Sequence, residues 1–252
     1  MSNYQLIQGD CIELMQTLPD NSIDLVLCDL PYNKTHNSWD SEIDFEKLWN
    51  EYNRIIKEHG AIVLFGQTNF SARLIMSNEK LFRYTLIWNK VRKTGFLNAN
   101  RMPLRQHEDI LVFYKKLPTY NPQMQEGREP SHSRGKKWDS KENTTDKGNH
   151  YRAYNHNYPV SKRTTKYPSS ILTFPNKVQG NLHPTQKPVA LLEYLIKTYT
   201  NEGDTVLDNC MGSGSTGVAC ANTNRNFIGM ELNGEYYNIA KDRIEKVGAE
   251  HE

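Results

Sequence analysis

Asp29-Leu30-Pro31-Tyr32 stands where an apolar run, Ile23 to Cys28, comes to its end. Short Val/Ile/Leu/Cys runs bounded by turn residues suit an interior parallel strand, and in open α/β sheets ligands bind outside the carboxyl ends of such strands. Pro31 fixes its own φ, lacks an N–H and pushes Leu30 away from helical geometry, so the backbone after Asp29 is extended and stiff. A carboxylate, rigid carbonyl acceptors and a large aromatic ring on one short turn can accept hydrogen bonds from an amino group and stack on a flat ring. A nucleobase with an exocyclic amine offers both features.

A second chemical locus lies far along the chain. Gly212-Ser213-Gly214-Ser215-Thr216-Gly217 matches G-x-G-x-x-G between a strand candidate, Asp204 to Leu207, and a helix. Glu231 ends the strand candidate that follows, Phe227 to Met230. In that setting glycines let the backbone approach a ligand, the helix amino terminus favours an anionic group, and Glu231 can accept from ribose hydroxyls. The pattern fits a dinucleotide or S-adenosylmethionine. Asp208, just before the glycines, suits a cationic group such as a methionine ammonium. A nicotinamide enzyme more commonly opens with this motif, which here comes near the end of the chain.

The elements that must position these residues follow from periodicity. Tyr4 to Gln8 is a strand candidate closing on Gly9-Asp10, Cys11 to Leu18 has helical spacing, and Asp10 suits a ligand or a helix cap equally. Asp44 to Glu58 is an amphipathic helix with an aromatic stripe, Ala61 to Phe65 a buried strand, Asn69 to Met76 a helix, and Tyr84 to Trp88 and Ile110 to Tyr114 further strands. A βαβ rhythm is thus expected to about Lys116, as the first half of a doubly wound, mostly parallel α/β domain. Apolar periodicity then stops from Leu117 to Asn181, where eleven basic residues stand against five acidic ones. That surplus of six leaves the rest of the chain at −4, within a formal total of +2 over 252 residues. Tyr120, Trp138, Tyr151, Tyr154, Tyr158 and Tyr167 are interleaved with the charges, which include Lys162 and Arg163. Cations that displace counterions from phosphates, mixed with rings that stack, suit nucleic acid; a solvated linker is the bland alternative. After His183-Pro184-Thr185-Gln186-Lys187-Pro188 a helix is expected over Val189 to Tyr199. The expected domains are 1–116, 117–181 and 182–252, the first and last being halves of one domain.

Composition narrows the class. The four cysteines have no metal-ligand spacing and lie in or beside apolar segments, which indicates reduced, packed thiols. No signal-peptide pattern and no apolar stretch of membrane-spanning length is present, so a cytoplasmic protein without membrane contact is expected.

The order of parts resembles the circularly permuted β group of DNA amino-methyltransferases: tetrad first, basic insertion next, then His183 to Pro188, and the glycine loop last. The tetrad is similar to the Asp-Pro-Pro-Tyr of adenine-N6 enzymes, cytosine-N4 enzymes often having Ser first. The resemblance implies a seven-stranded-type methyltransferase sheet with an irregular target-recognition insertion. It implies S-adenosylmethionine as cofactor, no metal, and double-stranded DNA as partner. It assigns catalysis to Asp29, Leu30, Pro31 and Tyr32, the methionine part to Asp208, Gly212 and Gly214, the ribose to Glu231, the cofactor adenine to Asp10 and the Cys11 backbone, and the methionine carboxylate to Lys187. By analogy a homodimer is expected, and a cognate restriction endonuclease is a further partner to look for. Trp88-Asn89-Lys90 and Gln106-His107-Glu108-Asp109 also resemble family segments, without an assigned role. Two positions depart from the pattern: Leu30 where Pro is usual, and Asn209-Cys210 where Pro-Phe is usual. The rival functions are a cytosine-N4, RNA or protein-glutamine methyltransferase, a nicotinamide-dependent dehydrogenase, and a catalytically silent DNA-binding protein.

Overall fold

The computed structural model describes residues 3–31, 43–126, 165–176 and 186–250. Tyr32, Lys162, Arg163, His183 and Thr185 lie outside them. By contacts the chain divides into one unit of Met1–Asn121 with Ser169–Glu252 and a second, Pro122–Pro168.

In chain order the elements are β1 (Tyr4–Gln8), α1 (Cys11–Met15), β2 (Ile23–Cys28), α2 (Phe45–Ile55), β3 (Ile56–Gly66), α3 (Asn69–Ser77), β4 (Phe82–Thr94), a 3₁₀ turn (Phe96–Asn98) and β5 (Arg105–Phe113). There follow β6 (Gln125–Glu126), β7 (Thr165–Lys166), β8 (Ile171–Thr173), α4 (Val189–Tyr199), β9 (Thr205–Asp208), α5 (Ser215–Asn222), β10 (Asn226–Glu231) and α6 (Gly234–Glu250). In the second unit β6 and β7 pair antiparallel.

The first unit holds an eight-stranded sheet in the order β1-β10-β9-β2-β3-β5-β4-β8. From β1 to β3 every pairing is parallel. β2 is the axis of this arrangement because from Leu25 to Cys28 its side chains are apolar on both faces. Leu25 and Leu27 join the core under α4, α5 and α6, whereas Val26 and Cys28 join the one under α1, α2 and α3. Strand side chains alternate with period two, so a run without a polar face can only sit between two helical layers. In α2, Leu48, Trp49, Tyr52 and Ile55 form the buried stripe, and Asp44 caps the helix by accepting from the Glu46 and Lys47 amides.

The expected βαβ rhythm ends earlier than Lys116. β3 to β5 and β5 to β4 are antiparallel, and β4 and β5 are long arms of one hairpin, with β8 added beside β4 as the eighth strand. The polar composition between Trp88 and Ile110 conceals the hairpin, because these residues extend past the core and have no apolar face to alternate. β3 also starts at Ile56, directly from α2, five residues before the expected strand. Helix α1 is a short one, ending at Met15.

Candidate active site

The sheet changes direction between β2 and β9. From β2 the chain moves to β3 on one side; from β9 it moves to β10 on the other. The carboxyl ends of β2 and β9 therefore flank the topological switch point, the place where open α/β sheets bind ligands. The register Leu25↔Val206 and Val26↔Leu207 brings Asp29 and Asp208, distant in sequence, to one edge.

On the β2 side, Asp29 is partly exposed while Leu30 is 2% exposed and packed into the core with Phe70 and Leu74. That burial gives Leu30 a packing reason in place of the usual proline. Lys187, just before α4, donates to Asp29 Oδ2, lies 3.6 Å from Glu108 Oε2 and sits over the Phe65 ring at 5.0 Å. Glu108 in turn pairs with Lys90. The result is an alternating chain of charges, Lys90, Glu108, Lys187 and Asp29, reaching from the β4–β5 hairpin to the tetrad. Burial opposes the charge on both central members, yet their partners outweigh it. Glu108 is held below the usual glutamate value by Lys187 and Lys90, and Lys187 above the usual lysine value by Asp29 and Glu108. Lys187 thus meets the tetrad carboxylate.

Sequence reasoning gave Lys90 and Glu108 no role, although a signal existed. Glu108, Ile110 and Val112 share a face of β5, so an acid at a period-two core position demanded a buried cation.

On the β9 side, Asp208 is 4% exposed, accepts from the Cys210 amide at 3.1 Å and the Thr216 hydroxyl at 2.6 Å, and is raised by burial to about 6. Gly212 and Gly214 have φ of 50° and 75°, conformations that L side chains rarely adopt. The bare α-carbon of Gly214 faces Ala240 of α6, and that of Gly217 faces Ile244 and Phe227, so these two glycines have a helix-packing reason. Glu231 Oε2 accepts from the Gly212 amide and Oε1 from the Asn233 amide, both at 2.9 Å. Its carboxylate thereby clamps the glycine turn to the start of α6, while burial raises its pKa. Asp10 lies beside it, since Gln8 pairs with Glu231 and the Gly9 amide donates to the Glu231 carbonyl. Asp10 Oδ1 caps α1 through the Ile12 and Glu13 amides.

The Asn209-Cys210 departure also has a structural reason. The Tyr52 hydroxyl of α2 donates to buried Asn209 Oδ1 at 2.6 Å, tying the tetrad half to the glycine-loop half. Cys210 Sγ accepts from Asn209 Nδ2 at 3.6 Å, and burial pushes the neighbouring Cys28 thiol up to about 12. All four cysteines are free thiols.

A carboxylate beside a rigid turn, facing a glycine turn with two buried acids across a switch point, defines a group-transfer site for a nucleotide-like cosubstrate. The particular class follows from sequence and fold together: the chain belongs to the DNA methylase family of N6/N4 amino-methyltransferases, whose pattern matches residues 23–242. It is 31% identical over 96% of its length to the type II methyltransferase M.HpaI of Haemophilus parainfluenzae, covering 74% of that protein. It is 27% identical over 95% of its length to the DNA adenine methyltransferase YhdJ of Escherichia coli, covering 82%. Its fold matches the M1.HpyAVI–SAM complex with a TM-score of 0.64 at 26% identity, over 96% of this chain and 98% of the other. The protein is a DNA methyltransferase with S-adenosylmethionine as methyl donor. A dehydrogenase is set aside.

The residues present fit that cofactor. Asp208 is a buried carboxylate with a raised pKa, an environment that a bound ammonium would relieve, and the positive-φ glycine turn beside it holds the backbone clear of side chains.

Proposed function

We propose that the amino group methylated is N6 of an adenine extruded from double-stranded DNA, and that Asp29 and the Leu30 carbonyl accept its two hydrogens. The observation that carries this is the placement of Asp29, on its Pro31-stiffened turn, at the switch point opposite Asp208 and Glu231. An aromatic amine is a poor nucleophile because its lone pair is delocalised into the ring. Two acceptors fixed on a rigid turn draw the hydrogens to one side and let the lone pair leave conjugation. Orientation in a site shielded from water is worth several kcal/mol, on the order of 7–11 in well-aligned cases. S-adenosylmethionine, when bound, supplies a methyl group on a sulfonium centre, which is electrophilic without a metal. Asp208 would hold its ammonium, the remaining acceptor capacity of Glu231 its ribose hydroxyls, and Asp10 with the Cys11 backbone its adenine. Lys187 fixes the Asp29 carboxylate for the incoming amine. Asp at the head of the tetrad favours adenine over cytosine, and YhdJ, a DNA adenine methyltransferase, supports the choice.

Pairing of two copies, a cognate endonuclease and a cytoplasmic location belong to the same proposal. Among the described residues no helix is long and apolar enough to cross a membrane.

The test is transfer of labelled methyl from S-adenosylmethionine to plasmid DNA, followed by nucleoside analysis. N6-methyladenine is expected; N4-methylcytosine would overturn the base assignment, and label confined to RNA or protein the substrate.

The cofactor half makes a separate prediction. Only ionised Asp208 can hold an ammonium, and burial puts its pKa at about 6, so affinity for S-adenosylmethionine should fall as pH drops through that value. Asp208→Asn should bind roughly 10- to 100-fold more weakly, the equivalent of about 1.5–3 kcal/mol for a charge-assisted hydrogen bond, and should lack the acid step. Calorimetric titration of both proteins between pH 5 and 8 decides it; a flat wild-type profile rejects the role.

A further inference from the structure

Lys90 and Asn176 stand at the same sheet edge as the tetrad, as the register shows. Cys28 pairs with Leu64, Leu64 with Leu111, and Leu111 with Thr85, so residues after Thr85 in β4 run toward the carboxyl edge that carries Asp29. β8 runs parallel to β4, with Thr173 opposite Asn89, so the chain after Thr173 leaves at that edge too. There the Phe174 amide donates to the Asn89 carbonyl at 3.2 Å, Trp88 Nε1 to the Phe174 carbonyl at 2.9 Å, and the Asn176 amide to the Lys90 carbonyl at 3.4 Å. Asn176 is thereby fixed through its backbone beside Lys90. From another part of the chain, Gln186 stands next to Lys187, which pairs with Asp29 and Glu108.

Among the described residues, three buried side-chain polar atoms have no hydrogen-bond partner: Glu108 Oε2, Asn176 Oδ1 and Gln186 Oε1. All three come from residues of one charge chain or residues adjoining it. Glu108 Oε2 is compensated by charge, with Lys187 Nζ at 3.6 Å. The two carboxamides have no such compensation. A buried polar atom without a partner costs free energy, so two of them beside a reacting carboxylate call for a partner that arrives with the substrate. A carboxamide suits either role, because a half-turn of its terminal torsion exchanges acceptor for donor.

We propose that Asn176 and Gln186 line the pocket of the extruded base and donate to the two ring nitrogens that flank its amino group. This rests on the adenine-methylating reading above and adds to it the groups that tell adenine from cytosine. In adenine the amino group stands between N1 and N7, both acceptors; in cytosine the corresponding positions are N3 and a C5–H, which accepts nothing. With the amino hydrogens taken by Asp29 and the Leu30 carbonyl, those two nitrogens are the polar atoms left on that side of the ring. A pair of carboxamides turned to donate satisfies both. Cytosine would leave one of the pair without a partner, the kind of mismatch by which a hydrogen-bonding pocket rejects an analogue.

The experiment measures kcat/KM for methyl transfer by the full-length protein on duplexes that span one methylated site of the plasmid, with the target adenine intact or replaced by 1-deazaadenine or 7-deazaadenine, each of which lacks one of the two nitrogens. N176L and Q186M keep side-chain size and remove the carboxamide. Each variant is compared with the wild type on the same duplex, so that changes in base pairing and site recognition cancel. On adenine each variant should fall roughly 10-fold below the wild type, and on one of the two analogues that difference should vanish, a different analogue for each variant. The variant indifferent to 7-deazaadenine should also narrow the preference for adenine over cytosine at the target position by roughly 10-fold. S-adenosylmethionine affinity should be unchanged, and melting temperatures should hold or rise, because each substitution removes a buried polar atom that has no partner in the free protein. A variant-to-wild-type ratio that is the same on all three duplexes overturns the proposal, as do variants that melt lower with unchanged kinetics, which would make the carboxamides structural. A wild type that transfers no methyl to adenine would instead overturn the function beneath.

Discussion

Asp29→Ala should reduce methyl transfer to DNA by roughly three orders of magnitude while leaving S-adenosylmethionine binding intact, the scale seen when a preorganised polar group at a reacting centre is removed. The two effects separate because the carboxylate lies at the end of β2, whereas the residues assigned to the cofactor end β9 and β10 or follow β1 and β9. The fold should survive the change. Lys187 keeps Glu108 at 3.6 Å as a counter-charge, and Leu30 rather than Asp29 supplies the core packing at this turn. Asp29→Asn keeps the shape and one acceptor but loses the charge that fixes Lys187, so it should fall between alanine and wild type. Single-turnover transfer of labelled methyl, with calorimetric cofactor titration of the same preparations, makes the comparison. A folded alanine variant that retains a tenth of the wild-type rate would remove Asp29 from the reacting centre.

The sequence displayed the two ends of this site more clearly than the bridge between them. Asp29 and the Gly212–Gly217 turn stood out because strand ends, prolines and glycines restrict the backbone locally, and such restrictions are written in neighbouring residues. The parallel strands β2 and β10 and the helices α2, α3 and α4 were legible from periodicity for the same reason. The period-two position of Glu108 signalled a buried cation, but which cations serve it depends on Trp88 pairing with Glu108 across antiparallel strands and on Lys187 arriving from far along the chain. Leu30 and Asn209 looked like defects in a motif until the core around one and the Tyr52 hydroxyl on the other gave them partners. The hairpin was hidden because its outer residues have no core to alternate against.

Lys187→Met is expected to be nearly as damaging as loss of Asp29, by a different route. Methionine approximates the length of the lysine stem, so little packing is lost, but Asp29 and Glu108 would then share a site with Lys90 as the remaining cation of the chain. Breaking a buried pair by removing one partner costs about 3–5 kcal/mol, because the other charge is left uncompensated. The pH dependence identifies the cause. In the wild type Glu108 lies below its ordinary 4.5, so its contribution is present above that value and is lost as pH falls through the depressed one. Lys187 lies above its ordinary 10.5, so its contribution is complete below that value and is lost as pH rises through the raised one. Between those limits these two groups leave wild-type stability flat. In Lys187→Met burial is opposed by Lys90 alone, the Glu108 pKa rises, and stability should increase on acidification from neutral pH toward 5 as the carboxyl takes up a proton. Glu108→Gln combined with Lys187→Met should abolish that acid gain and recover part of the lost stability, while transfer stays low because Asp29 still lacks its fixing cation. Melting temperatures of the three proteins against pH are the measurement, and a single variant that melts like the wild type at every pH would show that the charge chain carries no stability.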